Sequence, residues 1–158
     1  MKKTYPIVML ALLLTTLFAC KKNKDNTVDP NTDLVSIWEL AEVSSSMLPV
    51  QTYAPGNGNT LQINSNNTYA YFKDALAIQQ GNYTIVPDTS VEKETSLTNL
   101  KDKYKNRFDI TNVMPIPTVA AYKTFFYVED NKLYMISGNF ALDAGSLRIY
   151  RRANPMPL

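Results

Sequence analysis

Histidine is absent from the 158 residues, and cysteine occurs once. Without histidine the chain lacks the commonest general base near neutral pH and the commonest neutral metal ligand. One cysteine forms no disulfide within the chain, and a zinc site would have to be built from carboxylates and carbonyls, a donor set foreign to structural zinc centres. Glycine is scarce, at five residues. The stretch Ala54–Thr60, APGNGNT, carries two of them but no Lys-Ser/Thr and no following helix, so it reads as a turn rather than a phosphate loop. No Gly-x-Ser-x-Gly elbow occurs. Fourteen acids are present, and no pattern picks out a catalytic pair of the glycosidase kind. The composition points to a non-catalytic protein with no cofactor and no metal. Long apolar runs are missing too. The one apolar stretch, Ile7 to Phe18, follows Lys2 and Lys3 and is shorter than the ~20 residues of a spanning helix. A positive start with a short apolar core has the layout of a secretory signal.

That stretch ends in Leu17-Phe18-Ala19-Cys20. A leucine three places before the cysteine and a small residue just before it resemble the lipobox of bacterial lipoproteins. The resemblance implies that residues 1–19 are a signal peptide, cut before Cys20. It implies a diacylglycerol on the Cys20 thiol, with the new amine acylated as well, through palmitate-like chains. One acyl chain binds a membrane marginally; two or three on one residue anchor it without a spanning helix. In such proteins an aspartate after the cysteine retains the product in the inner membrane. Lys21 stands there instead, which implies export to the outer membrane, with the membrane as a partner through the N-terminal lipid. Cleavage also removes Lys2 and Lys3, so the sixteen cations become fourteen and equal the fourteen acids. A formally neutral mature chain argues against nucleic acid as a partner, which calls for a basic face.

Residues 20–33 comprise the lipidated cysteine and a polar leash, KKNKDNTVDPNTD, too poor in apolar residues to fold. Residues 34–158 are long enough for one domain with its own core. Their pattern is period-2 and rich in aromatic and branched residues: Ser36–Val43, Thr60–Asn64, Thr68–Phe72, Gly81–Val86, Arg107–Val113, Tyr122–Asp130, Lys132–Ser137 and Ser146–Arg152. Asp130-Asn131 is a tight hairpin signal. Short strands joined by Asn-, Asp- and Gly-rich turns point to an all-β sandwich or barrel. Residues 92–105 read either as a helical stripe of Leu97, Leu100 and Tyr104 or as a strand over Thr95–Leu100, with the strand preferred. Met114–Ala121, with two prolines, reads as a loop.

The order of these pieces resembles the lipocalin-like domains of Bacteroidetes lipoproteins. Leu34, Trp38 and Leu40 stand in an opening Leu-x-Gly-x-Trp-x-Leu pattern, with Ser36 for the glycine. Leu61, Ile63, Asn66, Asn67, Thr68 and Tyr69 match a Leu-x-Ile, Asn-rich turn, Thr-Tyr hairpin. Gly81, Tyr83 and Ile85 match the next strand; Lys132 to Met135, Tyr150 and Arg152 match the last ones. The resemblance implies an up-and-down antiparallel β-barrel of about eight strands, with room for packed side chains or one small ligand. It places Trp38 at the closed end. It also implies an arginine of the last strand stacked on that indole; Arg151, on the face of Leu147 and Ile149, is the expected one.

The remaining signal is aromatic. Tyr69, Tyr71, Tyr83, Phe125, Tyr127 and Tyr134 alternate along strands and are the candidates for lining a ligand pocket. Tyrosine is also simply a good strand former. Three functions follow: a carrier or sensor with a small hydrophobic ligand inside the barrel, an interaction or inhibitor lipoprotein with a filled barrel and an unnamed protein partner, and a glycan-binding module using exposed aromatics.

Overall fold

The computed structural model describes residues 33–114 and 122–153. The signal, Cys20, the leash up to residue 32 and the proline-containing stretch after Met114 lie outside the described residues. Nine strands form one antiparallel sheet: β1 Ser36–Ser45, β2 Gln51–Thr52, β3 Thr60–Ile63, β4 Thr68–Lys73, β5 Leu76–Pro87, β6 Asn106–Met114, β7 Thr124–Glu129, β8 Lys132–Ser137 and β9 Ser146–Arg152. From β3 onward each strand pairs with the next. β1 pairs with both β3 and β9, which closes the sheet, and the two-residue β2 hangs on the end of β1. The architecture is an eight-stranded up-and-down barrel of the lipocalin-like kind.

Local chemistry explains the corners. Asp130 and Asn131 have φ of 51° and 58°, the two left-handed residues that a primed two-residue hairpin requires. Asp74 and Ala75, at 50° and 64°, turn β4 into β5 in the same way. Alanine gives no sign of this in the sequence, and so the first half of β5, Leu76–Gln80, was not expected as strand. Three register breaks bend the wall; the one on β5 sets Gln79 opposite Tyr71 and Ala77 opposite Phe72. Another lies at Ala41, between Leu40 and Glu42, and carries the inward face from Trp38 and Leu40 to Val43, opposite Arg148. The third lies on β6, where Gln80 opposes Met114 and Asn82 opposes Thr111.

The barrel has two unlike ends. At the closed end Leu34 and Trp38 are fully buried, and the indole Nε1–H donates to the Leu34 carbonyl at 2.7 Å. Arg152, not Arg151, lies over the indole, with its guanidinium carbon 4.8 Å from the ring centre, and it donates to the Asp33 carbonyl at 2.8 Å. The expectation for Arg151 fails because the inward face of β9 is Arg148, Tyr150 and Arg152. Arg151 points out, where its Nε lies 3.0 Å from the Glu39 carboxylate and it donates to the Tyr53 carbonyl at 2.8 Å. Glu39 also accepts from the Gly56 and Asn57 amides, pinning the 54–59 turn to the wall. Burial works to raise the Glu39 pKa, but Arg151 and the two amides outweigh it and the net shift is downward.

A second core lies outside the barrel. The segment after β5 forms a short helix, α1 Val91–Thr95, and then turns; Ser96 and Asn99 are left-handed. Thr95–Leu100 is therefore not the expected strand, and the helix ends before Leu97. Glu92 explains the turn: its carboxylate accepts from the Leu100 amide at 2.9 Å, which a strand would have spent on a neighbour. Val91, Leu97, Leu100 and Tyr104 cover the outer faces of Phe125, Tyr127, Tyr134, Ile136 and Leu147.

The start of this segment is fastened by charge. Asp88 meets Arg107 at 2.7 Å and Lys123 at 3.4 Å, and accepts from the Ser90 amide at 2.8 Å. Burial alone would raise the Asp88 pKa; the Ser90 and Lys123 bonds overturn that and lower it to about 2. A carboxyl depressed on folding stabilises the fold above its unfolded pKa and stops doing so as pH falls through the folded value. The domain should thus lose up to about 2 kcal/mol between pH ~4 and ~2 through this group. Denaturant unfolding across that range should show the loss in the wild type and a flatter profile in Asp88→Asn.

Candidate functional site

The lower lumen is solid. Tyr83 stacks on Phe108 at 4.9 Å between centroids. Tyr69 and Phe126 meet the same ring edge-on at 5.9 and 6.2 Å. Leu61, Ile63, Leu133 and Met135 fill the remainder. The Tyr69 hydroxyl is buried there without a hydrogen-bond partner among the described residues, and burial pushes its pKa up to about 12. An unpaired buried hydroxyl costs free energy. Tyr69→Phe should therefore leave stability unchanged or raise it by up to about 1 kcal/mol, read as a higher midpoint in urea.

Above this plug the lumen opens into a cavity of about 390 Å³. Its apolar wall comes from Leu40, Val43, Phe72, Ile78 and the rings of Tyr71 and Tyr150; Asn59, Thr60 and Gln79 add polar edges, and Lys73 and Arg148 are its charged lining residues. The position follows from the strands. Leu40 lies at the middle of β1 and Val43 past it, Tyr71 to Lys73 end β4, and Arg148 lies near the start of β9, so they meet toward the end away from Trp38. The mouth is rimmed by exposed apolar side chains. Met47, Leu48 and Val50 come from the β1–β2 loop, Leu76 and Ile78 from the start of β5, and Leu142 from the 3-10 turn Phe140–Leu142 before β9. Leu142 and Leu76 are 76% and 72% exposed.

No family model matches this chain, and neither the curated proteins nor the solved structures hold a match to it. The site must be read from its own geometry.

The six expected pocket aromatics divide evenly. Tyr69, Tyr71 and Tyr83 face the lumen, and Tyr71 alone of them lines the cavity. Phe125, Tyr127 and Tyr134 face outward into the second core. Tyr127 and Tyr134 stack on each other at 4.4 Å, with Tyr104 edge-on at 4.7 Å, so these rings are not laid out as a flat platform for a sugar. The residues that sequence reasoning passed over are Leu40, Val43, Ile78, Tyr150 and Arg148. The available signal for Arg148 and Tyr150 was their shared parity with Arg152 in the last strand.

Arg148 is the unusual member. Its side chain is reached by solvent, yet it stands within the barrel wall beside Tyr71, Tyr150 and Tyr53. The Tyr150 hydroxyl interacts with both Arg148 and Tyr71. Burial raises the pKa of Tyr71 and Tyr150, so both hydroxyls stay protonated; Tyr150 accepts from Arg148 and donates to Tyr71. Among the described residues no cluster of acidic side chains is suited to a metal, and no helix is long and apolar enough to cross a membrane.

Proposed function

We propose that this chain is an exported lipoprotein, held to the outer membrane by lipid on Cys20, whose barrel binds a small hydrophobic molecule and performs no catalysis. The single observation that carries the ligand reading is the cavity of about 390 Å³, which falls within the ~300–1,000 Å³ scale of small-molecule sites. Its apolar wall and few polar groups have the composition of such sites. The position of Asp33 and Leu34 supports the anchoring reading. They sit at the Trp38 end, opposite the mouth.

A second reading is favoured by the apolar rim. Exposed apolar groups gathered around one opening fit a protein partner, as in an accessory or inhibitor lipoprotein. Native mass spectrometry of the full-length protein, extracted from its membrane in mild detergent, separates the two. The ligand reading expects a small molecule that leaves at modest collision energy, above a mass that includes acyl chains on Cys20. A protein that carries only its acyl chains, and binds none of a panel of small apolar molecules, would overturn it in favour of the partner.

A further inference from the structure

We infer that the cavity selects small amphiphiles with a carboxylate head and that Arg148 holds that head. The inference rests on the reading of the cavity as a ligand site and names the ligand class.

The other arginines of the described residues are spoken for. Arg107 pairs with Asp88 and Asp109, Arg151 with Glu39, and Arg152 bonds the Asp33 carbonyl and stacks on Trp38. Arg148 has no ion pair among the described residues, and its neighbours in the lumen are tyrosines. Arg148 is solvent-exposed at the mouth end of the lumen, so an entering anion reaches a cation that no carboxylate of the described residues already holds. The cavity lining holds two cations, Lys73 and Arg148, and no aspartate or glutamate. An anionic head therefore meets attraction and no like charge.

Carboxylate fits the fork of a guanidinium, which donates two parallel N–H bonds to its two oxygens. Beside Arg148, Tyr150 accepts from the guanidinium and donates its one O–H to Tyr71, so the Tyr71 hydroxyl is the one that donates to the same head. Strand parity makes this arrangement: Arg148 and Tyr150 are two apart on β9 and share its inward face, while Tyr71 comes from across the lumen on β4. The rest of the molecule would lie on Leu40, Val43, Phe72 and Ile78, toward the apolar rim at Leu76.

Calorimetric titration tests this on the full-length protein in lipid nanodiscs, with protein-free nanodiscs as the blank. The ligands share one chain and differ in head: octanoate, octanol and octyltrimethylammonium. The wild type should bind octanoate at least about tenfold tighter than octanol, the scale of a charge-assisted hydrogen bond, and the ammonium more weakly than either. Arg148→Gln should bring octanoate down to about the level of octanol. Equal binding of octanoate and octanol by the wild type would overturn the inference while leaving a ligand site in place. Binding of none of the three would overturn both. The head-group series needs no variant, so it decides even if Arg148→Gln does not fold.

Discussion

Trp38→Ala should lower the unfolding free energy of the domain by about 3–5 kcal/mol, the usual cost of truncating a fully buried aromatic. Three losses add up at this position. The indole is fully buried in the closed end, and its removal leaves a hole that the tightly filled lower lumen cannot collapse into. The Leu34 carbonyl loses its 2.7 Å donor. Arg152 loses the ring it lies on, and with it part of the link between the last strand and Asp33. Urea unfolding reads the change directly. Trp38→Phe should fall between the two, because it keeps most of the packing and loses the N–H bond. A near-neutral Trp38→Ala would mean that the ring does not plug the barrel.

Gly81→Ala should cost about 1–3 kcal/mol, the scale of overpacking in a core that cannot yield. A Cβ at Gly81 would stand 2.7 Å from the Thr111 carbonyl oxygen, 3.0 Å from that of Asn112 and 3.2 Å from the Tyr69 ring. The first two are backbone atoms of the β6 register break, where Asn112 is itself left-handed. Relief would require the break to move, and a moved register sends side chains to the wrong face. The expected signature is a lowered urea midpoint with the slope retained, since the fold is weakened and not exchanged. An unchanged midpoint would show that β5 and β6 are not locked at this point.

Much of the architecture was legible. The bounds of β8 and β9, Lys132–Ser137 and Ser146–Arg152, follow from alternation and flanking turn residues, and Asp130-Asn131 marks its hairpin by the left-handed tolerance of both residues. The facing of the strands was less legible, for a physical reason. A half-exposed strand announces its inner face by one apolar parity. On β7 both Phe125 and Phe126 are buried, one outside and one inside, because α1 and the turn after it cover the outer wall. On β9 the outward Leu147 and Ile149 look like a core face, while the lumen takes Arg148, Tyr150 and Arg152. The alternation therefore pointed to Arg151 and away from Arg148. The covering segment hides in turn because Glu92 and Leu100, eight residues apart, stabilise it through one side-chain bond that no periodicity records. The cavity is the least legible feature. It exists where large rings stop, and that depends on how five strands are staggered rather than on any one of them.

The central claim is that the barrel is plugged at the Trp38 end and receives a small apolar molecule at the other. Methyl-selective NMR of the full-length protein in nanodiscs, titrated with octanol, tests it most directly. Shifts should appear at Leu40, Val43 and Ile78 and be absent from Leu61, Ile63 and Leu133 in the plug. Shifts confined to Leu48, Leu76 and Leu142 on the rim, or to Val91, Ile136 and Leu147 beneath the outer cover, with Leu40 and Val43 unmoved, would contradict it.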